Sequence, residues 1–382
     1  MNGNDSTPNS NSTPNSLISD TTVTQDKIVC NHTVLPIEHF LILTESQKKI
    51  IATLCLTVGP FTILENIFIL CVIFFTPQLR SRPSYLFITS LATADLMASA
   101  VFVYSFVGFH VFEYKDNKHI FLFKLGCVIA SFSASVGSLL FTAIDRYICI
   151  HRPSEYRAII TKRKAVNCIL VMWLIVIFIG LLPLMGWNCC ESHNYCSELF
   201  PLVDEAYLIC WIMLITCLLV LIIHAYIHIL WKAHFHSVYM EKQKEGRKGQ
   251  VKLGHKRMDI KLAKTLGLIL IILITFWSPA LALMTYDVFA KVSKDTKKVF
   301  AFCSMLCLLN STMNPIVYAL RSKDMRRSIV NILSGCKKQQ SSLESSMESD
   351  GQIKSQIISV CSSCDKYSPV TSENSTSPTM PV

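Results

Sequence analysis

Residues 119–151 read HIFLFKLGCVIASFSASVGSLLFTAIDRYICIH, with no charged side chain between Lys124 and Asp145. A run of roughly 20 such residues is what a helix needs to cross the hydrocarbon core of a bilayer. Backbone N–H and C=O groups find no water there, so a lone spanning segment must pair them internally as a helix. Stretches of the same kind stand at about 50–76, 84–112, 165–186, 202–230, 260–286 and 296–320. The expected fold is therefore an all-α membrane protein, a seven-transmembrane helix bundle.

Composition supports this reading. Of 382 residues, 51% are hydrophobic and only 16% are charged, against about 25% charged in soluble domains. The net charge of +10 does not point to nucleic acid, because the charges lie between the apolar runs and in the tails. The first 30 residues hold no apolar run, so no cleaved signal peptide is expected. No internal repeat is visible, which argues against a transporter built from duplicated halves.

Lys and Arg orient the bundle. One set of loops carries Arg80, Arg82, Arg152, Arg157, Lys162, Arg163, Lys164, the basic stretch 242–264 and Arg321 to Arg327; the other set is poor in them. The positive-inside rule places the first set and the C-terminus in the cytoplasm, and the N-terminus outside. The expected organisation is an outer tail (1–49), the bundle (50–320), a short amphipathic cytoplasmic helix (321–336) and a disordered tail (337–382). Glycosylation sequons at Asn4, Asn11 and Asn31 fit an outer tail. Of the 16 cysteines, Cys30, Cys189, Cys190 and Cys196 fall outside, where three pairings are open. Cys189–Cys196 is preferred, since both lie in one short segment. Cys336 follows a basic amphipathic stretch and is a candidate for palmitoylation.

Polar groups inside spans cost about 2.5–3.5 kcal/mol each when charged, so each is a functional candidate. Asp95, with Asn66, Ser135, Asn310 and Asn314, is expected to form a polar hub around water or a sodium ion. The alternative role for such a cluster is hydrogen-bonded glue between helices. Asp145-Arg146-Tyr147 ends the third span, and Asp259 starts the sixth; Arg146 is expected to form a breakable latch with them. Pro279, beside Trp277, and Pro315 each remove a backbone hydrogen bond and bend their helices.

These residues carry a resemblance. Asn66, LATAD with Asp95, DRY at 145–147, Trp173, FWSP at 276–279 and NPIVY at 314–318 are similar, in order, to the class A G-protein-coupled receptors. SFVGFHVF at 105–112, SASVGSLLFTAIDRY at 133–147, ILWKAH, LAKTLGLIL and FAFCSMLCLLN resemble the cannabinoid receptors more closely. The short N-terminal tail, the short third cytoplasmic loop, GWNCC and CSELFP lean towards the type 2 branch; YDVF and LRSKD lean towards type 1. Phe121 stands where most class A receptors have a disulfide cysteine, which agrees with a loop-internal Cys189–Cys196 bridge.

The resemblance implies a ligand class. Val128 stands where amine receptors carry an aspartate, and Leu308 where opsins carry the retinal lysine, so neither ligand is expected. The implied pocket is Phe102, Phe106, Phe109, His110, Val128, Phe132, Phe200, Tyr207, Trp211, Trp277, Met284, Phe300 and Ser304. It suits a neutral lipid with one or two oriented hydrogen bonds, Ser304 being the expected polar partner. Ile129 replaces a threonine of the type 2 receptors and removes one polar contact. Phe132 is expected to touch Trp277 and to shift when an agonist fits; Arg146 lies 14 residues further on, about 21 Å along the helix. Tyr226 and Tyr318 join the switch residues by resemblance.

Gi/o coupling, lower cyclic AMP, and arrestin recruitment after phosphorylation near Ser341, Ser342, Ser345, Ser346 and Ser349 are what the family implies. Membrane lipids are further expected partners; no enzyme activity, cofactor or nucleic-acid partner is expected. The rivals are a lysophospholipid receptor, which should be more basic around its outer pocket, and a membrane transporter. A metal enzyme is disfavoured because His224 and His228 have no third ligand in the pattern.

Overall fold

The computed structural model describes residues 40–114, 116–192, 195–245 and 253–334. Seven helices are long and apolar enough to cross a membrane. They are α1 (Glu45–Phe75), α2 (Pro83–His110), α3 (Lys118–His151), α4 (Lys162–Leu181), α5 (Glu205–Glu245), α6 (Leu253–Phe289) and α7 (Lys294–Arg321). Short helical turns lie at Pro77–Arg80, Tyr156–Ile159 and Cys189–Ser192. Among the described residues there is no strand, only isolated bridges pairing Asn188 with Val203 and Cys196 with Asp204. Residues 323–334 form a further helix.

The helix ends depart from the apolar runs where local chemistry overrides hydropathy. α1 starts at Glu45, ahead of the expected 50, because Thr44 and Gln47 form a reciprocal capping box. α4 stops at Leu181, short of the expected 186. Pro183 cannot continue the helix, and the chain then reverses at Gly186, whose φ of +117° needs a residue without a Cβ. α5 starts at Glu205 rather than 202 because Asp204 accepts from the N–H groups of Ala206 (2.8 Å) and Tyr207 (3.3 Å). α5 and α6 both run beyond their apolar stretches, since MEKQKE and its like are good helix formers in water.

α3 occupies the middle of the bundle, against α2, α4 and α5; α1 packs on α2 and α7, and α6 on α5 and α7. Ala130 to Leu139 are buried without a break, so this stretch of α3 has no lipid face. Small residues let its neighbours approach. A Cβ on Gly126 would stand 2.5 Å from the Gly180 carbonyl oxygen, and one on Gly180 2.6 Å from that of Gly126. Backbone therefore meets backbone at the α3–α4 crossing, a contact driven by packing rather than by hydrophobic transfer.

Candidate functional site

A two-chambered cavity lies towards one end of the bundle. Its mouthward chamber encloses ≈ 930 Å³, counting open space, and shares Phe102, Leu125, Val128, Phe200, Phe300 and Ser304 with a deeper chamber of ≈ 630 Å³. All thirteen expected pocket residues line it: Phe106, Phe109 and His110 near the mouth, and Phe132, Tyr207, Trp211, Trp277 and Met284 in the depth. Phe132 meets Trp277 edge to face, ring centroids 5.7 Å apart, at the floor. Above them Phe102 stacks on Phe106 at 4.9 Å and touches Phe132 at 5.9 Å.

The aromatic residues with polar atoms direct several of them away from the cavity. Tyr207 donates its hydroxyl to the Ile179 carbonyl at 3.1 Å, and Trp211 its indole N–H to Ser133 Oγ at 3.1 Å. Both bind helix to helix and leave the cavity an apolar ring. Ser304 donates to the Phe300 carbonyl at 2.9 Å, so its oxygen remains an acceptor for a ligand hydroxyl.

A loop covers the mouth. Cys189 and Cys196 are disulfide-bonded, and Cys190 is disulfide-bonded as well; Cys30 lies outside the described residues. Asp287 at the end of α6 holds the same loop, accepting from Ser197 Oγ (2.5 Å), Glu198 N (3.0 Å) and Leu199 N (3.4 Å). Phe200 is thereby set against Phe300, centroids 5.2 Å apart. Glu191, in this loop, has its carboxyl held below the usual range by a hydrogen bond from Lys118. Phe40, Ile42, Glu198 and Lys297 also line the mouth and were not among the expected residues. The apolar FLIL at 40–43, just before the Thr44 cap, was the signal for the first two.

Deeper in the bundle Asp95 is fully buried. One carboxylate oxygen accepts from Ser135 Oγ (2.7 Å) and Ser311 Oγ (2.9 Å), the other from Asn314 Nδ2 (2.8 Å). The expected hub is corrected in two places. Asn66 donates instead to the carbonyls of Thr62 (2.9 Å) and Ser311 (3.5 Å), and the side-chain oxygen of Asn310 is buried with no hydrogen-bond partner. Ser311, which was missed, takes the third place because it is one position round the helix from Asn310 and faces α2.

At the far end Arg146 is ion-paired with Asp145 and donates to Ser84 Oγ at 2.5 Å. Asp145 also accepts from Ser84 Oγ (2.9 Å) and the Tyr156 hydroxyl (2.6 Å). Burial, reinforced by that hydrogen bond, pushes the Tyr156 hydroxyl up to about 12. The latch thus joins α3 to α2 and to the short turn at Tyr156–Ile159; the side chain of Asp259 lies outside the described ones. Tyr147 stacks on His151 at 4.1 Å rather than joining the latch. The hydroxyls of Tyr226 and Tyr318 are buried without partners, and Pro279 and Pro315 lie inside α6 and α7. Asn4, Asn11, Asn31 and Cys336 lie outside the described residues.

The profile of the 7 transmembrane receptor (rhodopsin family) matches residues 65–318. Cannabinoid receptor 1 of Xenopus laevis is 52% identical over 340 residues, 86% of this chain and 72% of that protein. Cannabinoid receptor type 1B of Takifugu rubripes is 56% identical over 329 residues, 83% and 70%. Cannabinoid receptor 2 of Homo sapiens is 47% identical over 307 residues, 79% and 83%. The type 1 proteins thus match better than the type 2 protein, and the leaning towards type 2 is corrected. GWNCC and CSELFP both sit in the connection between α4 and α5, outside the spans that make up most of the match.

Proposed function

Since the chain belongs to the rhodopsin-family seven-transmembrane receptors and, within them, to the cannabinoid receptors, we propose that it binds endocannabinoid-type lipids and signals through Gi/o to inhibit adenylate cyclase. The observation that carries the ligand class is the cavity itself. Its two chambers share lining residues between a charged mouth and the Phe132–Trp277 floor, and the deeper one is lined almost wholly by apolar groups. Near the mouth each lysine has a carboxylate: Lys124 is bound by Asp116 at 2.8 Å, and Lys297 lies 3.7 Å from Glu198. That charge balance favours a neutral lipid over the anionic lysophospholipids, which need uncompensated cations.

In this reading the thirteen pocket residues hold the ligand. Displacement of the Phe132–Trp277 pair passes through the Asp95 hub and the Pro279 bend to the Arg146 latch. An agonist drives this only by binding the open state more tightly. The hydroxyl oxygens of Ser135 and Ser311, with the Asp95 carboxylate, form an all-oxygen donor set suited to a sodium ion. The basic loops support a cytoplasmic Arg146 end and an outer N-terminal tail, with Cys336 as the candidate for palmitoylation and the serine-rich tail as the candidate for arrestin recruitment. Coupling is tested by cyclic AMP assay in cells expressing the chain, with endocannabinoids and lysophospholipids side by side. Suppression by the former is expected; a response to lysophospholipids alone overturns the ligand class.

A further inference from the structure

The chain has 16 cysteines, and among the described residues nine are free thiols, all on the spanning helices. Cys189 is bonded to Cys196, with Cα atoms 5.2 Å apart. Cys190 is disulfide-bonded too, and Cys189 and Cys196 are already taken by each other. Its partner is therefore one of Cys30, Cys336, Cys361 and Cys364, which lie outside the described residues.

Position separates these four. Cys190 is buried in a cluster with Leu122 and Leu202, on which Phe121 packs, and Phe121 lines the mouthward chamber. α7 ends at the opposite face of the bundle. There Tyr85, the neighbour of the latch residue Ser84, meets Ser322 Oγ at 2.8 Å. Leu122 and Arg146 stand 24 residues apart on α3, about 36 Å along the helix. A disulfide needs its Cα atoms within about 7 Å of each other, so a cysteine after α7 would have to cross the bilayer to reach Cys190. It would also start from the side the basic loops mark as cytoplasmic, where thiols stay reduced. Cys30 lies in the outer tail, where disulfides persist.

We propose that Cys30 is bonded to Cys190, and that this bond fastens the outer tail at the cavity mouth. It forms by thiol–disulfide exchange. The two thiols give up two protons and two electrons to the disulfide of a secretory-pathway oxidoreductase, which is released as a dithiol. Reach is no obstacle, since the ten residues from Cys30 to Phe40 extend to about 35 Å. Phe40 lines the mouthward chamber, and the loop that carries Cys190 contributes Glu198 and Phe200 to it. Residues 31–39 are thus anchored at both ends beside the mouth, which raises their local concentration there. Cys189–Cys196 cannot do this, because it joins the loop only to itself. Ligand exchange through the mouth slows while the second bond stands. The bond rests on the orientation given above; its effect on exchange rests also on reading the cavity as the lipid site.

The bond is tested by mass spectrometry on the full-length chain, purified in detergent, alkylated and digested without reduction. A Cys30 peptide joined to Cys190 is expected. Cys30 alkylated as a free thiol, or joined to Cys189, Cys196 or a second copy of the chain, overturns the proposal. The effect is read as the dissociation rate of a tritiated polyunsaturated N-acylethanolamine from membranes carrying Cys30→Ser, Cys190→Ser or both. All three are expected to release it about fivefold faster than the unaltered chain, without addition in the double variant, since each removes the same bond. Cys30→Ser, which leaves the loop intact, carries the test if Cys190→Ser misfolds. An unchanged rate in Cys30→Ser overturns the role at the mouth, and additive effects overturn the pairing. A joined peptide from a chain that does not bind the probe upholds the bond and overturns the lipid reading instead.

Discussion

Asp95 shows how a single side chain can join helices that hydropathy treats as separate. Its two oxygens gather donors from α3 and α7, and hydrogen bonds to a charged acceptor are worth about 1.5–3 kcal/mol each. Asp95→Asn leaves one acceptor oxygen for these donors. It is expected to retain saturable ligand binding while agonist suppression of cyclic AMP is largely lost; parallel binding and signalling curves decide, and equal loss of both would mean misfolding. Ser304 offers a narrower test. Its proton is committed to the Phe300 carbonyl, so it can only accept from a ligand. Ser304→Ala should lower the potency of hydroxyl-bearing agonists about fivefold to tenfold, and an unchanged potency removes it from the site. Asp95, Asn314 and Ser304 were visible as polar residues in apolar runs or by family position. Ser311 was not, since one serine in a helix usually satisfies itself on its own backbone, and only the rotation of α7 turns it towards Asp95.

Among elements, the α3–α4 crossing is the contact with least room. Gly126→Ala drives a Cβ into the backbone of α4, which cannot move aside, so the thermal midpoint of the detergent-purified chain should fall clearly. Gly137→Ala is the control: its Cβ would meet only the flexible side chain of Met172, Sδ at 2.6 Å and Cγ at 3.2 Å. Similar midpoints for the two would show that the close crossing is not what limits packing. The latch is likewise a property of elements, because Tyr156 reaches Asp145 from the turn after α3. Tyr156→Phe removes that donor, and should raise basal cyclic AMP suppression at matched surface expression. Equal basal activity would mean that Tyr156 does not restrain α3.

At the scale of the whole molecule, the mouth depends on parts distant in the chain: Phe40 and Ile42 before α1, the 187–204 loop, Asp287 at the end of α6 and Lys297 at the start of α7. Replacing Cys189 and Cys196 together by alanine frees the loop from its own bridge. High-affinity ligand binding should drop more than tenfold, while surface expression by immunoblot falls less; preserved affinity would show that the loop-internal bridge is not what holds the lid. The seven spans were legible because the bilayer admits few structures, and a run such as 119–151 has only one way to satisfy its backbone there. The floor of the pocket was legible through motif order, since each span contributes its residues at a fixed helical position. What the sequence could not decide was which side chains face one another across the bundle. Helix rotation, caps and crossing distance set that, and they are properties of packed neighbours rather than of any one segment. The tertiary structure alone therefore put Ser311 on Asp95, Tyr156 on Asp145, and Lys297 between Glu198 and Phe40 at the mouth of the cavity.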